Sequence, residues 1–596
     1  MKSDNYKITQ YSVSSILNYV ENSQIAIPEI QRPFVWKGEE VRALIDSLYE
    51  GYPIGYLIVW QNSQVRVRGF GKGGTKKILI DGQQRVTALM AALLGKEVLD
   101  EQYQSCRIRI AFNPLAQTGD ERFAVCDEKH EQDSKWIPDI SIFFRRDFSF
   151  RQFEKEYKEA NPGEDFTPLE ESVDTLKEIV KHQVGVIELS FLLDIDVVSE
   201  IFIRINLQGK PLNQEDFVMS KISVNEEYGG DYIRNCIDYF CHLLREPSFY
   251  QVFQQNETDF FNSEYGQAVA WCQNGEKNLY IPSYADVLKV VLISYFGKVR
   301  IGDLVHLLSG RTGEKKGLTK KEISKKLSEE SFEKLGAGVK AFVCEKNFKG
   351  FQKALKKAGY CCSRLLYSQS VLNYCYAMYL LMDRQGIGEE ESESLLARWM
   401  TMVMLTGHYQ SGGEGTVLKD YANATEEGFA SYLAQIEELK LTEEFYDSIL
   451  PDKFASTTAR TAPFLVYVAT QCARGVHSLY SDVTIEELYK NKTESYQILP
   501  KTYLAKCGYK TREIYGQVAN LTYISKETKD IVKRKAPADY REKLEEVIGR
   551  EAITASLQEN GLTEKIFTAG EKDVTKILAD RRKQMALEIK EFYKTL

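Results

Sequence analysis

Residues 77–95 constrain the fold of this chain more than any other stretch. The apolar run at 78–80 has the length of a buried strand, and Asp81-Gly82 then favours a tight turn. Beyond the turn, apolar residues recur at the spacing of one helical face until Gly95 supplies a stop signal. These apolar residues are Val86, Leu89, Met90, Leu93 and Leu94. The pattern predicts a strand, a turn and a helix that begins at about Gln83.

Arg85 falls in the first turn of the predicted helix. Unpaired backbone N–H groups make that end of a helix partly positive, so a cation there is unfavourable unless an anion lies beside it. A helix start after a glycine turn, with a guanidinium and the amides of Gln83 and Gln84, is a suitable cradle for phosphate. The alternative is an ordinary ion pair between Arg85 and a neighbouring acid.

Length and composition indicate a globular protein of two to four domains, with 596 residues, 43% apolar and 27% charged. The net charge of −8 argues against a generally basic nucleic-acid coat, so any DNA contact must use local patches. Eleven cysteines without a Cys-x-x-Cys pair suit free thiols in a reducing compartment. The start of the chain has no apolar signal core, so we expect a cytoplasmic protein without a membrane partner.

The first 225 residues are predicted to alternate between helices and strands. Expected helices cover residues 8–21, 41–51 and 197–205, and expected strands cover 25–30, 56–60, 108–112 and 184–189. Residues 117–168 are charged, and we expect them to be irregular. Trp36 is either a core anchor or a stacking surface for a base.

Helical patterns dominate residues 226–485, with long amphipathic stretches at 285–296 and 368–382. His408 stands beside a glycine-rich loop, but no Ser or Cys partner can be assigned to it, so a structural role is expected. The basic run at 315–326 is either a solvated loop or a contact to a DNA backbone.

The DGQQR motif of Asp81 to Arg85, with IPEIQRPFVW upstream at 27–36, resembles the ParB/sulfiredoxin-like N-terminal domain of the GmrSD-type restriction endonucleases. The resemblance implies that a nucleoside triphosphate is bound and hydrolysed at DGQQR. It implies catalytic roles for Asp81, Gln83, Gln84 and Arg85. Gly82, Gln31 and Arg32 would contact the nucleotide with Arg85, as would Asn206 and Gly209 of a later family-like phrase. Mg²⁺ is an expected cofactor, whereas its ligands cannot be named.

The same family carries a C-terminal His-Me finger (HNH-like) nuclease. This chain keeps the family frame at 498–501, 508–509, 520–521, 537–540 and 581–582. Tyr496-Gln497 stands where the motif needs a general-base histidine, and an amide cannot accept a proton at neutral pH. Asn520 is retained, but Lys529 replaces a metal-supporting asparagine, and an ammonium repels a divalent ion. The resemblance therefore implies a degenerate domain that does not cut DNA by the family mechanism.

These observations predict an α+β protein with three domains. Residues 1–225 would form the ParB/sulfiredoxin-like nucleotide-binding domain, 226–485 a mostly helical connection, and 486–596 a small degenerate His-Me finger region embedded in helices. The predicted function is that of a GmrSD-like antiphage protein that hydrolyses nucleoside triphosphate and senses DNA, including modified DNA, while a partner protein supplies any cleavage. Two alternatives stay open. One is a nucleotide-regulated DNA- or partner-binding module without turnover, and the other is an active endonuclease that uses non-family residues.

Overall fold

The structure is a computed structural model that describes residues 5–22, 24–26, 36–62, 76–99, 105–116, 122–191, 193, 197, 198, 201, 214–310, 320–568, 570 and 572–596. The chain divides into two compact units, Met1–Asp231 and Tyr232–Leu596. The three-domain division expected from the sequence stays a prediction.

The first unit is built on a mixed five-stranded sheet. Its described strands are β1 Tyr6–Ser12, β2 Ile25–Ala26, β3 Tyr56–Asn62, β4 Lys76–Asp81, β5 Val98–Leu99, β6 Ser105–Cys106, β7 Ile110–Phe112, β8 Phe123–Val125 and β9 Gln183–Leu189. Its described helices are α1 Val13–Glu21, α2 Gly38–Tyr49, α3 Gln83–Leu93, α4 Glu128–Gln132, α5 Phe150–Ala160, α6 Leu169–Glu178, α7 Gln214–Val224 and the start of α8 Gly230–Leu243. The strand order in the sheet is β1-β9-β3-β4-β2. Strands β5–β6 and β7–β8 form two small hairpin-like pairs.

Strand alternation gives the sheet two apolar faces. Leu57 and Val59 of β3 join Leu79, Val184 and Val186 in the main core, beneath helices α1 to α3. The alternate residues Ile58 and Trp60 form a smaller cluster with Leu189 and Val198 on the other face. Because both faces are covered, the sequence of β3 is a continuous apolar run at 56–60 and does not alternate between apolar and polar residues.

Two expectations for this unit are wrong. Residues 8–21 are not one helix, because Tyr6–Ser12 pairs antiparallel along the whole of β9, and Ser12 then caps α1 through a bond from the Ser15 amide. This pairing joins segments far apart in the chain, and local pattern does not encode it.

Residues 117–168 are not irregular either, because the described part from 122 onward contains β8, α4 and α5. This charged segment also contains Phe143 and Tyr157, which are buried in the main core.

Other elements are confirmed. The strand at 56–60 lies within β3, the strand at 184–189 lies within β9, and the helix expected at 41–51 is α2. The strand expected at 108–112 is present as β7, which is shorter and covers only Ile110–Phe112. Of the strand expected at 25–30 only β2 falls in the described residues, and the helix expected at 197–205 lies mostly outside them.

The second unit is mainly helical. Its described helices, after α8, are α9 Tyr250–Asn256, α10 Thr258–Phe261, α11 Glu264–Val269, α12 Tyr284–Phe296, α13 Ile301–Leu308, α14 Lys320–Val343, α15 Glu345–Lys357, α16 Gln369–Arg384, α17 Glu389–Thr406, α18 Gly413–Glu427, α19 Phe429–Lys440, α20 Leu450–Lys453, α21 Ala462–Ala473, α22 Ile485–Lys490, α23 Lys501–Lys506, α24 Arg512–Tyr515, α25 Lys526–Val532, α26 Pro537–Ile548, α27 Arg550–Glu559, α28 Lys565–Thr568 and α29 Val574–Tyr593. A single π-helical turn, Phe445–Ile449, precedes α20.

The helices expected at 285–296 and 368–382 are confirmed as α12 and α16. Both are buried on nearly all sides, and every residue from Leu372 to Met382 is buried. Such helices are interior elements rather than amphipathic surface ones. Within the described residues, no helix is both long and apolar enough to cross a bilayer.

Near the end of the chain, β10 Tyr496–Gln497 and β11 Leu521–Thr522 form an antiparallel pair, and α25 follows. Helix α29 holds this pair in place, because the buried Arg581 guanidinium donates to the carbonyls of Ala519 and Leu521. Arg581 begins the basic run at 581–583, yet it is only 2% exposed.

Candidate functional site

The DGQQR motif lies at a sharp strand-to-helix corner. Strand β4 ends at Asp81, Gly82 turns the chain with φ +92°, and α3 begins at Gln83, as the sequence predicts. A Cβ at Gly82 would lie 2.2 Å from Cδ2 of Leu57 on the neighbouring strand. Both the left-handed backbone and the close approach therefore require glycine at this turn.

The Arg85 guanidinium is seated between two acceptors. Its Nη1 donates to the Ile54 carbonyl at 2.9 Å, and its Nη2 donates to Oδ2 of Asp81 at 3.1 Å. The Arg85 and Asp81 side chains are only 19% and 21% exposed. A Cβ at Gly55 would lie 2.7 Å from Nη1, so a second glycine with positive φ makes room for the arginine. The ion pair that the sequence left open as an alternative is thus present, and its acid belongs to the motif itself.

The start of α3 has donors that the helix does not use. The helical ladder begins with the bond from the Val86 amide to the Gly82 carbonyl, 3.0 Å long. The N–H groups at the start of the helix precede that ladder, and Gly82 has no side chain with which to cap them. The Gln83 side chain donates its own amide to the Leu79 carbonyl at 3.2 Å. This orients the Gln83 amide beside the corner.

Several predicted site residues lie outside the described residues. These are Gln31, Arg32, Asn206 and Gly209. Trp36 is described, and it packs half-buried against the main core. This contact favours the core-anchor interpretation over a stacking surface for a base.

A second arginine, Arg107, stabilises the other end of α3, and no sequence motif marks it. Arg107 donates from Nη1 to the Ala91 carbonyl at 2.9 Å and from Nη2 to Asp139 at 2.6 Å. A Cβ at Gly95 would lie 2.6 Å from its Nη2. Arg107 thus repeats the construction around Arg85, with a carbonyl, an aspartate and a close glycine. It is placed where a cation favours the helix, beside the carbonyl end.

A cluster of charged residues around a buried carboxylate, at the opposite end of β4, was not predicted from the sequence. Glu188 faces the main core from β9, on the same side as Val184 and Val186, and is 6% exposed. Lys7 Nζ lies 2.8 Å from Oε2, Lys77 Nζ lies 2.5 Å from Oε1, and the Tyr11 hydroxyl donates to Oε1. The signal for this cluster was a charged residue at an inward position of an apolar strand.

Three donors hold Glu188 ionised. Burial raises the pKa of its carboxyl, but the hydrogen bonds from Lys7, Lys77 and Tyr11 outweigh burial and lower the pKa to about 2. The same contacts raise the pKa of Lys77 although burial opposes the rise. The cluster therefore ties β1, β4 and β9 together as a fully paired charge group.

The positions at which the sequence resemblance predicts a degenerate nuclease centre are occupied by polar residues with structural contacts. The Gln497 amide donates to the Tyr515 carbonyl at 3.2 Å, and its oxygen accepts from the Lys501 amide at 3.2 Å. Asn520 is fully buried and bonds both the N–H and the carbonyl of Leu499, each at 2.9 Å. The side-chain amides of Gln497 and Asn520 thus fix the loop around β10 and β11.

Tyr496 and Lys529 differ in their surroundings. The Tyr496 hydroxyl donates to the Lys533 carbonyl at 3.1 Å, and burial raises the pKa of this hydroxyl to about 12. Lys529 lies on the exposed side of α25. Across the described ranges, no group of three or more His, Cys, Asp or Glu side chains is placed to hold a metal ion.

His408 has a partner that the sequence did not predict. Its Nε2 lies 2.8 Å from Oδ2 of Asp420, and both side chains are buried. The Tyr432 hydroxyl donates to the other Asp420 oxygen at 2.7 Å. Because Trp399 and Tyr409 pack edge-on against the ring, the pair joins α17, α18 and α19 as a structural contact.

The family comparison agrees with the recognition made from the motif. Residues 13–223 match the family model described as the GmrSD restriction endonuclease, N-terminal domain. The chain thus carries an N-terminal domain of the GmrSD type, and the match confirms the recognition of this domain from the motif. The match ends before the second unit, whose resemblance to a nuclease stays a prediction. No curated protein matches the chain significantly.

Proposed function

We propose that this chain is a GmrSD-like, restriction-type antiphage protein that binds and hydrolyses a nucleoside triphosphate at the Asp81–Arg85 corner and senses DNA. The observation that carries the proposal is the seating of Arg85 at the start of α3. The Ile54 carbonyl and Asp81 fix its guanidinium beside backbone N–H groups that the helix does not use. A fixed cation and a set of convergent amides suit a polyphosphate.

The residues at the corner fit distinct roles. Arg85 and the amides of Gln83 and Gln84 would bind phosphate oxygens and stabilise charge that develops on them. The Gln83 side chain uses its NH₂ group on Leu79, so its carbonyl oxygen can orient a water.

Asp81 fits a role in cation binding. A carboxylate beside a triphosphate is repulsive unless a cation lies between them. Mg²⁺ commonly binds one or two carboxylates together with phosphate oxygens and waters, so a single aspartate is a sufficient protein ligand. When bound, Mg²⁺ would neutralise phosphate charge. Asp81 would then contact both the bound Mg²⁺ and the Arg85 guanidinium.

We further propose that the C-terminal region has lost nuclease chemistry. Support comes from Gln497, whose amide is engaged on both sides by backbone groups and cannot act as a base. The exposed ammonium of Lys529 stands where the family motif needs a metal-supporting amide. The antiparallel β10–β11 pair followed by α25 agrees with the strand, strand and helix of a His-Me finger frame.

A local basic surface supports DNA contact in this region. Residues 501–535 contain nine Lys or Arg residues and three Asp or Glu residues, although the whole chain has a net charge of −8. All nine cations are exposed: Lys501, Lys506, Lys510, Arg512, Lys526, Lys529, Lys533, Arg534 and Lys535. Such a patch can bind a phosphate backbone without reading its sequence or cutting it.

Phosphate release tests the hydrolase proposal. Purified full-length protein is incubated with each nucleoside triphosphate, with Mg²⁺, and with or without DNA. We expect many turnovers with at least one nucleotide, and a Gln83→Ala variant that binds the nucleotide but turns over slowly. Nucleotide binding without turnover under every condition would instead support the regulated binding module. The absence of both would overturn the proposed site.

Plasmid cleavage tests the loss of nuclease chemistry. We expect intact plasmid after incubation with Mg²⁺ or Mn²⁺, together with salt-dependent DNA binding that weakens in a Lys533→Ala, Arg534→Ala, Lys535→Ala variant. Cleavage that persists in a Gln497→Ala, Lys529→Ala variant would favour the third possibility, an active endonuclease that uses non-family residues.

A further inference from the structure

Three cysteine thiols meet where the segment after α15 packs against the end of α21. Sγ of Cys361 lies 3.8 Å from Sγ of Cys472, although 111 positions separate them in the chain. Cys362 follows directly and is half-buried like Cys361, whereas Cys472 is 7% exposed in the last turn of α21. One partner of the close pair is therefore accessible from solvent, and the other is held inside.

The backbone around this pair is closely fitted. Gly359 has φ +89°, and a Cβ there would lie 2.1 Å from the Ala469 carbonyl oxygen of α21. Tyr360 is fully buried between Gly359 and Cys361. The segment that carries Cys361 therefore contacts α21 backbone to backbone, one turn before Cys472. This contact limits how far the two sulfur atoms can separate.

We propose that Cys361 and Cys472 form an oxidation site at which a hydroperoxide converts the two thiols into a reversible disulfide. A disulfide bond is about 2.05 Å long, so each sulfur atom needs to move by only about 0.9 Å. Rotation about the Cα–Cβ bonds supplies such a movement without displacing the helix. Cys361 is only half-buried, so a small thiol can reach the disulfide and reduce it by exchange.

The reaction balances in two steps. The Cys361 sulfur attacks the hydroperoxide, the O–O bond breaks, and an alcohol, or water from hydrogen peroxide, leaves as Cys361 becomes a sulfenic acid. The Cys472 sulfur then attacks the Cys361 sulfur, and the S–O bond breaks with loss of water. The two thiols lose two electrons in all, and the hydroperoxide gains them.

The surroundings make this oxidation slow at neutral pH. A hydrogen bond from Cys362 lowers the pKa of the Cys361 thiol, but the hydrogen bond to Cys472 and burial prevail and raise it to about 12. The thiolate is the reactive form, so the rate should rise about tenfold for each pH unit. A site of this kind responds to sustained peroxide rather than to brief exposure.

Thiol counting and peptide mapping test the proposal. Reduced full-length protein is treated with hydrogen peroxide, denatured, and assayed for free thiols, and an unreduced digest is analysed by mass spectrometry. We expect the loss of two of the eleven thiols, a cross-linked peptide pair containing Cys361 and Cys472, and full recovery with dithiothreitol. The Tm of the second unit should rise by about 5 °C on oxidation.

Serine variants separate this site from general oxidation. Cys361→Ser and Cys472→Ser should abolish the cross-link, whereas Cys362→Ser and the control Cys507→Ser should retain it. Cys472→Ala replaces Cys472→Ser if the serine variant does not fold. Overoxidised Cys361 with an unmodified Cys472, or a bond between Cys361 and Cys362, would overturn the proposal.

Discussion

The Asp81 carboxylate and the Arg85 guanidinium lie 3.1 Å apart, on opposite sides of the turn between β4 and α3. The two charged residues of the motif are thus each other's partner. This pairing removes the cost of a cation at a helix start without any ligand. It also means that a phosphate at this corner competes with Asp81 for Arg85, or reaches Asp81 through a cation.

The first prediction compares Arg85 with Arg107, which has the same contacts at the other end of α3. Arg85→Ala and Arg107→Ala should each lower the free energy of unfolding by about 1–3 kcal/mol, because each leaves a carbonyl and an aspartate without their donor. Only Arg85→Ala should weaken nucleotide binding, by at least about tenfold. Chemical denaturation and titration with a fluorescent nucleotide measure the two effects. Equal nucleotide affinity in both variants would show that Arg85 is only a brace.

The second prediction concerns the turn itself. Gly82→Ala should destabilise the protein by about 3 kcal/mol, since the new methyl group meets Leu57 and the backbone has φ +92°. Gly163→Ala is the matched control, because Gly163 has φ +94° but open space around its Cβ position. It should cost only about 1 kcal/mol. Equal losses of unfolding free energy would show that the contact with Leu57 relaxes easily.

The sequence predicted the parts of this protein that depend on local pattern. The strand, glycine turn and helix around DGQQR follow from an apolar run, a turn dipeptide and helical spacing, and each lies where it was expected. The partner of Arg85 at Ile54 was not predictable, because it depends on how β3 ends beside the turn. The assignment of β1 failed for the same reason, since its hydrogen-bond partner lies at the far end of the unit.

Charged residues inside the core show a second limit. Glu188 and Arg581 look like surface residues by type, yet each is buried and bound by groups from other elements. Residue type gives a preference for exposure, and specific partners can override it. The identity of those partners is decided by tertiary packing.

The third prediction uses the low pKa of Glu188. Its pKa in the folded protein is about 2, below the ordinary value of 4.5, so its stabilisation is complete above about pH 4.5 and is lost as the pH falls towards about 2. Glu188→Gln should therefore lower the free energy of unfolding by about 2–4 kcal/mol at neutral pH. The difference from the wild type should shrink in acid. Urea unfolding at several pH values measures this.

Glu131→Gln is the control for Glu188. Glu131 pairs with Arg109 on the surface, where both side chains are about two-fifths exposed, so the change should cost less than about 1 kcal/mol at any pH. A constant effect of Glu188→Gln from neutral to acid pH would contradict the prediction, because it would point to lost packing rather than lost charge.

The last prediction concerns Glu588, whose pKa is shifted in the opposite direction from that of Glu188. This carboxyl is 6% exposed on α29, and neither oxygen has a hydrogen-bond partner among the described residues. Burial outweighs the attraction of Arg474 and Arg581 and raises its pKa to about 7. Because this pKa lies above the ordinary value of 4.5, the contribution of Glu588 to stability is complete below about pH 4.5 and is lost as the pH rises through about 7.

Glu588→Gln should therefore match the wild type in Tm at about pH 5 and exceed it at about pH 8, where the glutamate must ionise inside the core. Glu591→Gln on the same helix is the control, because Glu591 is exposed and its carboxylate lies 2.7 Å from Lys594. The Glu591→Gln variant should show no increase in Tm at either pH. A Glu588→Gln variant that is less stable than the wild type at the higher pH would mean that the ionised carboxylate is bound favourably, and that Arg474 and Arg581 outweigh the cost of burying it.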